Sequence, residues 1–207
     1  MLIIGITGGV ASGKSTVIKT LQDNGVITID ADKLGHKAYE RGNACYHRLV
    51  ECFGTSVVGE DGEINRRRLG EIVFSEKSKM AQLNGIVWPV IRQLLIAELN
   101  SIRSRLDINS SPPIVAVEAA IMIEAGWQDL VSVLWVVRVE REIAKAFLMA
   151  RNCISEEDAY KRIDSQISNH DRCKYATYVI SNNGTREHLE IETRRILNLS
   201  IIDAGNL

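Results

Sequence analysis

The chain has 207 residues, 45 % hydrophobic and 25 % charged, with a formal net charge of -1, which supplies a full core and fits one α/β domain carrying an insertion or two. Near-neutral charge excludes a general attraction to nucleic acid or anionic membrane, so anion recognition must come from local clusters. No apolar run approaches the ~20 residues that span a bilayer and no basic leader precedes the first apolar run, so a soluble cytoplasmic protein is expected, its oligomeric state left open.

Leu2-Ile3-Ile4-Gly5-Ile6 is an apolar, β-branched run that predicts a strand. Gly8-Gly9-Val10-Ala11-Ser12-Gly13-Lys14-Ser15-Thr16 follows and satisfies G-x-x-x-x-G-K-[ST], and Ser15 to Leu21 carries helical apolar spacing. Strand, glycine loop and helix in that order predict a nucleoside triphosphate site. The N–H groups from Val10 to Ser15 converge on the α- and β-phosphates, aided by the positive end of the helix. Lys14 then reaches the β- and γ-phosphates, and the Ser15 hydroxyl joins a magnesium shell otherwise filled by phosphate oxygens and water.

Gly25 stops the helix and Val26-Ile27-Thr28-Ile29 reads as the second strand. Asp30-Ala31-Asp32 closes it and begins a helix. A phosphoryl-transfer enzyme needs a carboxylate to orient the attacking hydroxyl and accept its proton, and Asp32 is the candidate. Alternatively, Asp30 or Asp32 caps the helix. Residues 32–107 then read as a helical insertion, with breaks at Gly42, Gly54, Gly59 and Gly62 and a long amphipathic stretch from Trp88 to Arg103. Within it Asn65 precedes Arg66-Arg67-Arg68, a dense basic run in which one or two arginines suit an anionic group on an acceptor. Trp88 either lines an apolar acceptor pocket or packs in the core.

Pro112-Pro113 launches the strand Ile114-Val115-Ala116-Val117, and Val133-Leu134-Trp135-Val136-Val137 forms another; both are nearly continuous apolar runs, as buried parallel strands require. Glu118, at the end of the first, either reaches a magnesium-bound water on the substrate side or hydrogen-bonds Ser15 or Thr16; Glu124 reads as structural. Residues 140–173 read as a charged helical hairpin, N-capped at Ser155, that closes as a lid. Of Arg138, Arg141, Arg151 and Arg162 in and around it, two are expected to act on phosphate, with Arg151 the leading candidate, and the alternative for each is a solvated, salt-bridged face. Tyr178-Val179-Ile180 is the last strand, Asn182-Asn183-Gly184 a turn that suits the adenine edge, and Glu187 to Leu197 the closing helix. Cys45, Cys52, Cys153 and Cys173 are scattered and are expected to be buried thiols in a reducing compartment. Alternating strands and helices predict a parallel sheet covered on both faces, with ligand at the carboxyl ends of the strands.

These stretches together resemble the dephospho-coenzyme A kinase family along nearly the whole chain. The matching residues are Ile6 to Thr16, Asp30-Ala31-Asp32, Gly62 to Arg66 with Leu69 and Val73-Phe74, Ala159 with Arg162 and Gln166, and Val179 to Gly184. The resemblance implies a P-loop three-layer fold with a five-stranded parallel core (1–31, 108–139, 174–207), a helical acceptor-binding insertion (32–107) and a helical lid (140–173). It implies ATP and Mg2+ as cofactors, dephospho-coenzyme A as small-molecule substrate, and transfer to its ribose 3′-hydroxyl as the last step of coenzyme A synthesis. Catalytic residues would be Asp32, Lys14 and Arg151. Gly8, Gly9, Val10, Ala11, Ser12, Gly13, Lys14, Ser15, Thr16, Asn182 and Gly184 would bind ATP, Ser15 the metal, and Asp32, Asn65, Arg66, Trp88 and Glu118 the substrate. Trp88-Pro89 and Glu124-Ala125-Gly126-Trp127 resemble the kinase domain of the eukaryotic bifunctional coenzyme A synthase. Phe147 stands where the family has its first lid arginine, whose part passes to Arg141 or Lys145 or is lost.

Overall fold

The five apolar runs form β1 (Leu2–Gly8), β2 (Ile27–Asp30), β3 (Ile114–Glu118), β4 (Val133–Arg138) and β5 (Tyr178–Ser181) in the computed structural model, which describes residues 1–105 and 112–205. All pairings are parallel, in the order β2-β3-β1-β4-β5. The helices are α1 (Lys14–Asp23), α2 (Ala31–Ala38), α3 (Ala44–Phe53), α4 (Arg66–Phe74), α5 (Lys77–Ser104), α6 (Arg141–Asn152), α7 (Glu156–Asp164), α8 (Asn169–Cys173) and α9 (Arg186–Gly205). No helix among the described residues is long and apolar enough to cross a membrane.

The chain divides into two compact units, Met1–Asp30 with Leu106–Leu207, and Ala31–Arg105. The junction expected at 107–108 lies outside the described residues. In the sheet unit, strand periodicity sends Ile4 and Ile6 to one face, where they join Val17 and Leu21 of α1, Trp135 of β4 and Leu189, Ile196 and Leu197 of α9 in one apolar cluster. Trp135 buries its polar end as well, because Nε1–H donates to Ser200 Oγ at 3.1 Å. Toward the other face, a side chain at Gly5 would meet Met122 Sδ at 2.6 Å and Leu134 at 3.0 Å.

In the helical unit, α2, α3 and α4 pack on α5, which buries Ile86, Val87, Ile91, Leu95 and Leu99. The amphipathic stretch expected to begin at Trp88 therefore begins at Lys77. The charged start Lys77-Ser78-Lys79 hides the apolar period, and Pro89 reads as a breaker although packing on three helices offsets its lost backbone bond. The stretch expected to be a hairpin contains three helices, because Ser168 accepts the Asp171 N–H at 3.0 Å and starts α8. The closing helix also runs further than expected, to Gly205. Of the cysteines expected to be buried, only Cys45 is. Cys52 is on the solvent side of α3 and Cys153 is the left-handed C-cap of α6, positions set by the ends and faces of helices rather than by thiol hydrophobicity.

Candidate active site

The loop after β1 emerges where β3 lies on one side of that strand and β4 on the other, so it opens at the carboxyl edge where the chain's crossovers change direction. Two of its glycines are required by their surroundings. A Cβ at Gly8 would run into the Val137 carbonyl oxygen, and Gly13 is left-handed at φ 97°, with room for no more than hydrogen against Asn182 Nδ2. That amide in turn donates to the Ser12 carbonyl at 3.0 Å, tying the Asn182 turn to the loop. Gly13→Ala is therefore expected to cost about 1–3 kcal/mol of unfolding free energy and to disorder the loop, which urea melts together with nucleotide titration would register.

Lys14 Nζ donates to the carbonyls of Gly8 at 2.8 Å and Gly9 at 3.1 Å, so its ammonium lies over the mouth of the loop. The Val10 N–H, one of the amides expected to face phosphate, donates to Gln166 Oε1 at 2.8 Å. Ser15 is exposed in the first turn of α1 and Thr16 half-buried beside it.

Two cavities flank the loop. One, of about 510 Å³, is walled by Ala11, Gly13, Ser15 and Thr16 together with Phe147 and Arg151 of α6, Asn182, Gly184 and Leu189. It brings the candidates Arg151, Asn182 and Gly184 to the loop, and half-exposed Phe147 stands with them as an apolar wall. The Arg151 Nε–H donates to Asn152 Oδ1 at 3.0 Å. The other cavity, of about 420 Å³, lies against Gly9 and Val10 and is closed by Val139, Arg141, Asp164, Gln166, Asn169 and Arg172.

Arg141, Lys145 and Arg138 are engaged by neighbouring side chains. Arg141 makes paired hydrogen bonds to Asp164 at 2.6 and 2.9 Å and lies over the Tyr160 ring at 4.7 Å; its bonds to Asp164 hold its pKa above the usual arginine value. Lys145 pairs with Glu142 at 2.7 Å and Glu156 at 3.1 Å, which raises its pKa, the Glu142 bond contributing most. Arg138 donates to Ser181 Oγ at 2.9 Å, and Arg162 is exposed on α7. Arg172 is the functional candidate that sequence reasoning missed. A lone arginine at the end of a charged stretch reads as solvated, yet its side chain is 1 % exposed.

At the strand ends, Asp30 of β2 is in register with Glu118 of β3, and Glu118 with Ile6 of β1, so both carboxylates share the carboxyl edge. Asp32 is exposed in the first turn of α2, immediately after β2 ends. In the helical unit, Asn65 is the N-cap of α4, accepting the Arg68 N–H at 3.1 Å. Arg68 donates toward the carbonyls of Ser56 and Val58 and Arg67 pairs with Glu71, whereas exposed Arg66 lies 5.7 Å from the Tyr39 ring. Arg66, Tyr39, His36 and Lys37 line a cavity of about 300 Å³. Trp88 is half-buried on α5. Among the described residues no three His, Cys, Asp or Glu side chains gather to cage a metal ion. A hard divalent ion that arrives with phosphate oxygens and takes one hydroxyl, as Ser15 offers, fits this donor set.

The family model for dephospho-CoA kinase matches residues 2–188. The dephospho-CoA kinase of Geobacter sulfurreducens is 40 % identical over 190 residues, covering 92 % of this chain and 94 % of its own. A solved structure of a Thermus thermophilus protein superposes with a TM-score of 0.77 at 34 % identity, over 95 % of this chain and 96 % of that one. Dephospho-CoA kinase from Campylobacter jejuni gives a TM-score of 0.72 at 26 % identity, over 99 % and 98 % of the two chains. With a triphosphate loop at the switch point of a five-stranded parallel sheet and sequence similarity that runs almost from end to end, the chain belongs to the dephospho-CoA kinase family.

Proposed function

We propose that the protein transfers the γ-phosphoryl group of ATP to the ribose 3′-hydroxyl of dephospho-CoA, giving CoA and ADP. The observation that carries this reading is the family match across residues 2–188, which takes in the loop, the Asp30-Ala31-Asp32 turn, the helical unit and the Asn182 turn together. ATP lies along the loop, its base toward the cavity walled by Phe147, Asn182 and Gly184, its phosphates on the amides from Val10 to Ser15. Lys14 exchanges the Gly8 and Gly9 carbonyls for β- and γ-phosphate oxygens, and Gln166 yields the Val10 N–H to phosphate. Magnesium, when bound at Ser15 and the phosphates, supplies charge neutralisation at the β- and γ-oxygens.

The acceptor is held by the helical unit, with Arg66 beside Tyr39 as the cation for an anionic group and Trp88 on its apolar side. Asp32 orients the 3′-hydroxyl and takes its proton as the new O–P bond forms. Glu118, at the carboxyl edge of the sheet, is a further substrate contact in this reading, and Arg151 a charged group on the wall of the nucleotide cavity. Helices α6 and α7, cross-linked by the Arg141–Asp164 and Lys145–Glu156 pairs, exclude with α8 the water that would otherwise hydrolyse ATP.

Incubating the purified protein with ATP, magnesium and a panel of hydroxyl acceptors tests the reading. ADP release strictly dependent on dephospho-CoA, with CoA as the product by mass, is expected. Turnover of a nucleoside, sugar or small hydroxy acid in its place would overturn it.

A further inference from the structure

Arg172 is a buried guanidinium without adequate partners. Its side chain is 1 % exposed, and Nε and Nη2 find no hydrogen-bond acceptor among the described residues. Nη1 has a long bond of 3.4 Å to Asn169 Oδ1, and Nη2 lies 3.8 Å from Glu124 Oε1, beyond hydrogen-bond reach, while Glu124 Oε2 is buried and unpartnered as well. A structural ion pair buried at this cost normally closes its geometry, since the desolvation of both ions must be offset. This one does not. Burial accordingly pushes the arginine pKa down, with the Glu124 charge opposing.

The guanidinium lies beside the loop. A Cβ at Gly9 would be 3.4 Å from Nη1, so the guanidinium lies against the start of the loop, at the wall of the cavity of about 420 Å³ shared with Val10 and Gln166. The other cavity holds Asn182 and Gly184 at the opposite end of the loop, the base end. A triphosphate running along the loop from that end brings its terminal phosphate toward Gly9 and Val10. The alternatives are placed less well: Arg141 is committed to Asp164 and Arg151 lines the base-side cavity.

Resting on the kinase reading above, we propose that Arg172 is a catalytic residue that donates to the γ-phosphoryl oxygens during transfer, a charge-stabilising part that replaces the arginine missing at Phe147. The acceptor oxygen forms a bond to the γ-phosphorus, the bond to the β,γ-bridging oxygen breaks, the hydroxyl proton passes to Asp32, and ADP leaves with the electron pair. Arg172 gains and loses no proton. It holds charge on the three equatorial oxygens.

The test compares Arg172→Met, Arg172→Lys and the double variant Arg172→Met with Glu124→Met, which removes both buried charges and carries the readouts should the single methionine variant not fold. For each, CoA formation is followed alongside calorimetric affinities for ADP and for the β,γ-imido analogue of ATP. Expected are a fall in kcat of about 100-fold or more for the methionine variants, partial recovery with lysine, and loss of the affinity gap between triphosphate and diphosphate while ADP affinity stays within a few-fold. Folded methionine variants with kcat near wild type, recovery of kcat in the double variant, or equal weakening of ADP and the imido analogue would each overturn the proposal, the last two marking a structural ion pair. Absence of CoA formation by the wild-type protein would instead sink the kinase reading, and the two affinities would still decide whether Arg172 reads the terminal phosphate.

Discussion

Lys14→Ala is expected to lower kcat/KM by about 10³-fold or more, the range lost when a single charge-bearing phosphate contact is removed. The ammonium lies 2.8 and 3.1 Å from the carbonyls of Gly8 and Gly9, over the loop's mouth, so a short swing of a flexible side chain carries it to the β- and γ-phosphates. Stability should change little, by about 1 kcal/mol, the net contribution of a typical hydrogen bond. The experiment is steady-state CoA formation beside a thermal melt. A folded variant with near-normal kcat/KM would remove Lys14 from the phosphate path. Lys14→Arg is a poor substitute here, since a planar fork does not reproduce a point charge seated among loop carbonyls.

Asp32→Asn is expected to keep ATP affinity within a few-fold and to lower kcat by about 10²–10⁴-fold, the usual contribution of a positioned base. Asn is nearly isosteric and leaves the start of α2 intact, so a cap or packing role would predict almost no kinetic effect. The contrast with Lys14 is diagnostic. Loss of Lys14 weakens triphosphate binding and turnover together, whereas loss of Asp32 spares nucleotide binding and acts on the transfer step. Calorimetric ATP affinity and kcat measured on the same preparation separate the two, and wild-type-like turnover of the asparagine variant would remove Asp32 from the base role.

Much of this was legible in the amino-acid order, for identifiable physical reasons. Parallel strands are buried on both faces, so β3 and β4 show as unbroken apolar runs, and the phosphate loop announces itself because Gly8 and Gly13 have no room for a side chain. Helix limits were less legible. α5 continues through Pro89 because three helices pack on it, and α8 exists because one serine caps it, neither of which a periodicity reports. Two placements depend on tertiary structure: Phe147 lies on the wall of the loop cavity, and Arg172 is enclosed with Glu124 and Asn169 beside the loop, neither of which a local pattern reports. Asn65 shows the reverse: a polar residue at a plausible binding position spends its side-chain oxygen on a helix cap.

The hydrogen bond from the Val10 amide to Gln166, with the two carbonyl contacts of Lys14, has a bearing on selectivity. These donors are already satisfied by the protein itself, so an anion enters the loop only by exchange and must return more than it displaces. Orthophosphate or sulfate, meeting a few of the amides at once, gains little from that trade. In the proposed site, a polyphosphate chain that spans the loop from Ser15 to Val10 would replace these partners in one event, and the loop is expected to discriminate by the length of the anion, with inorganic phosphate a poor competitor of ATP in nucleotide titrations.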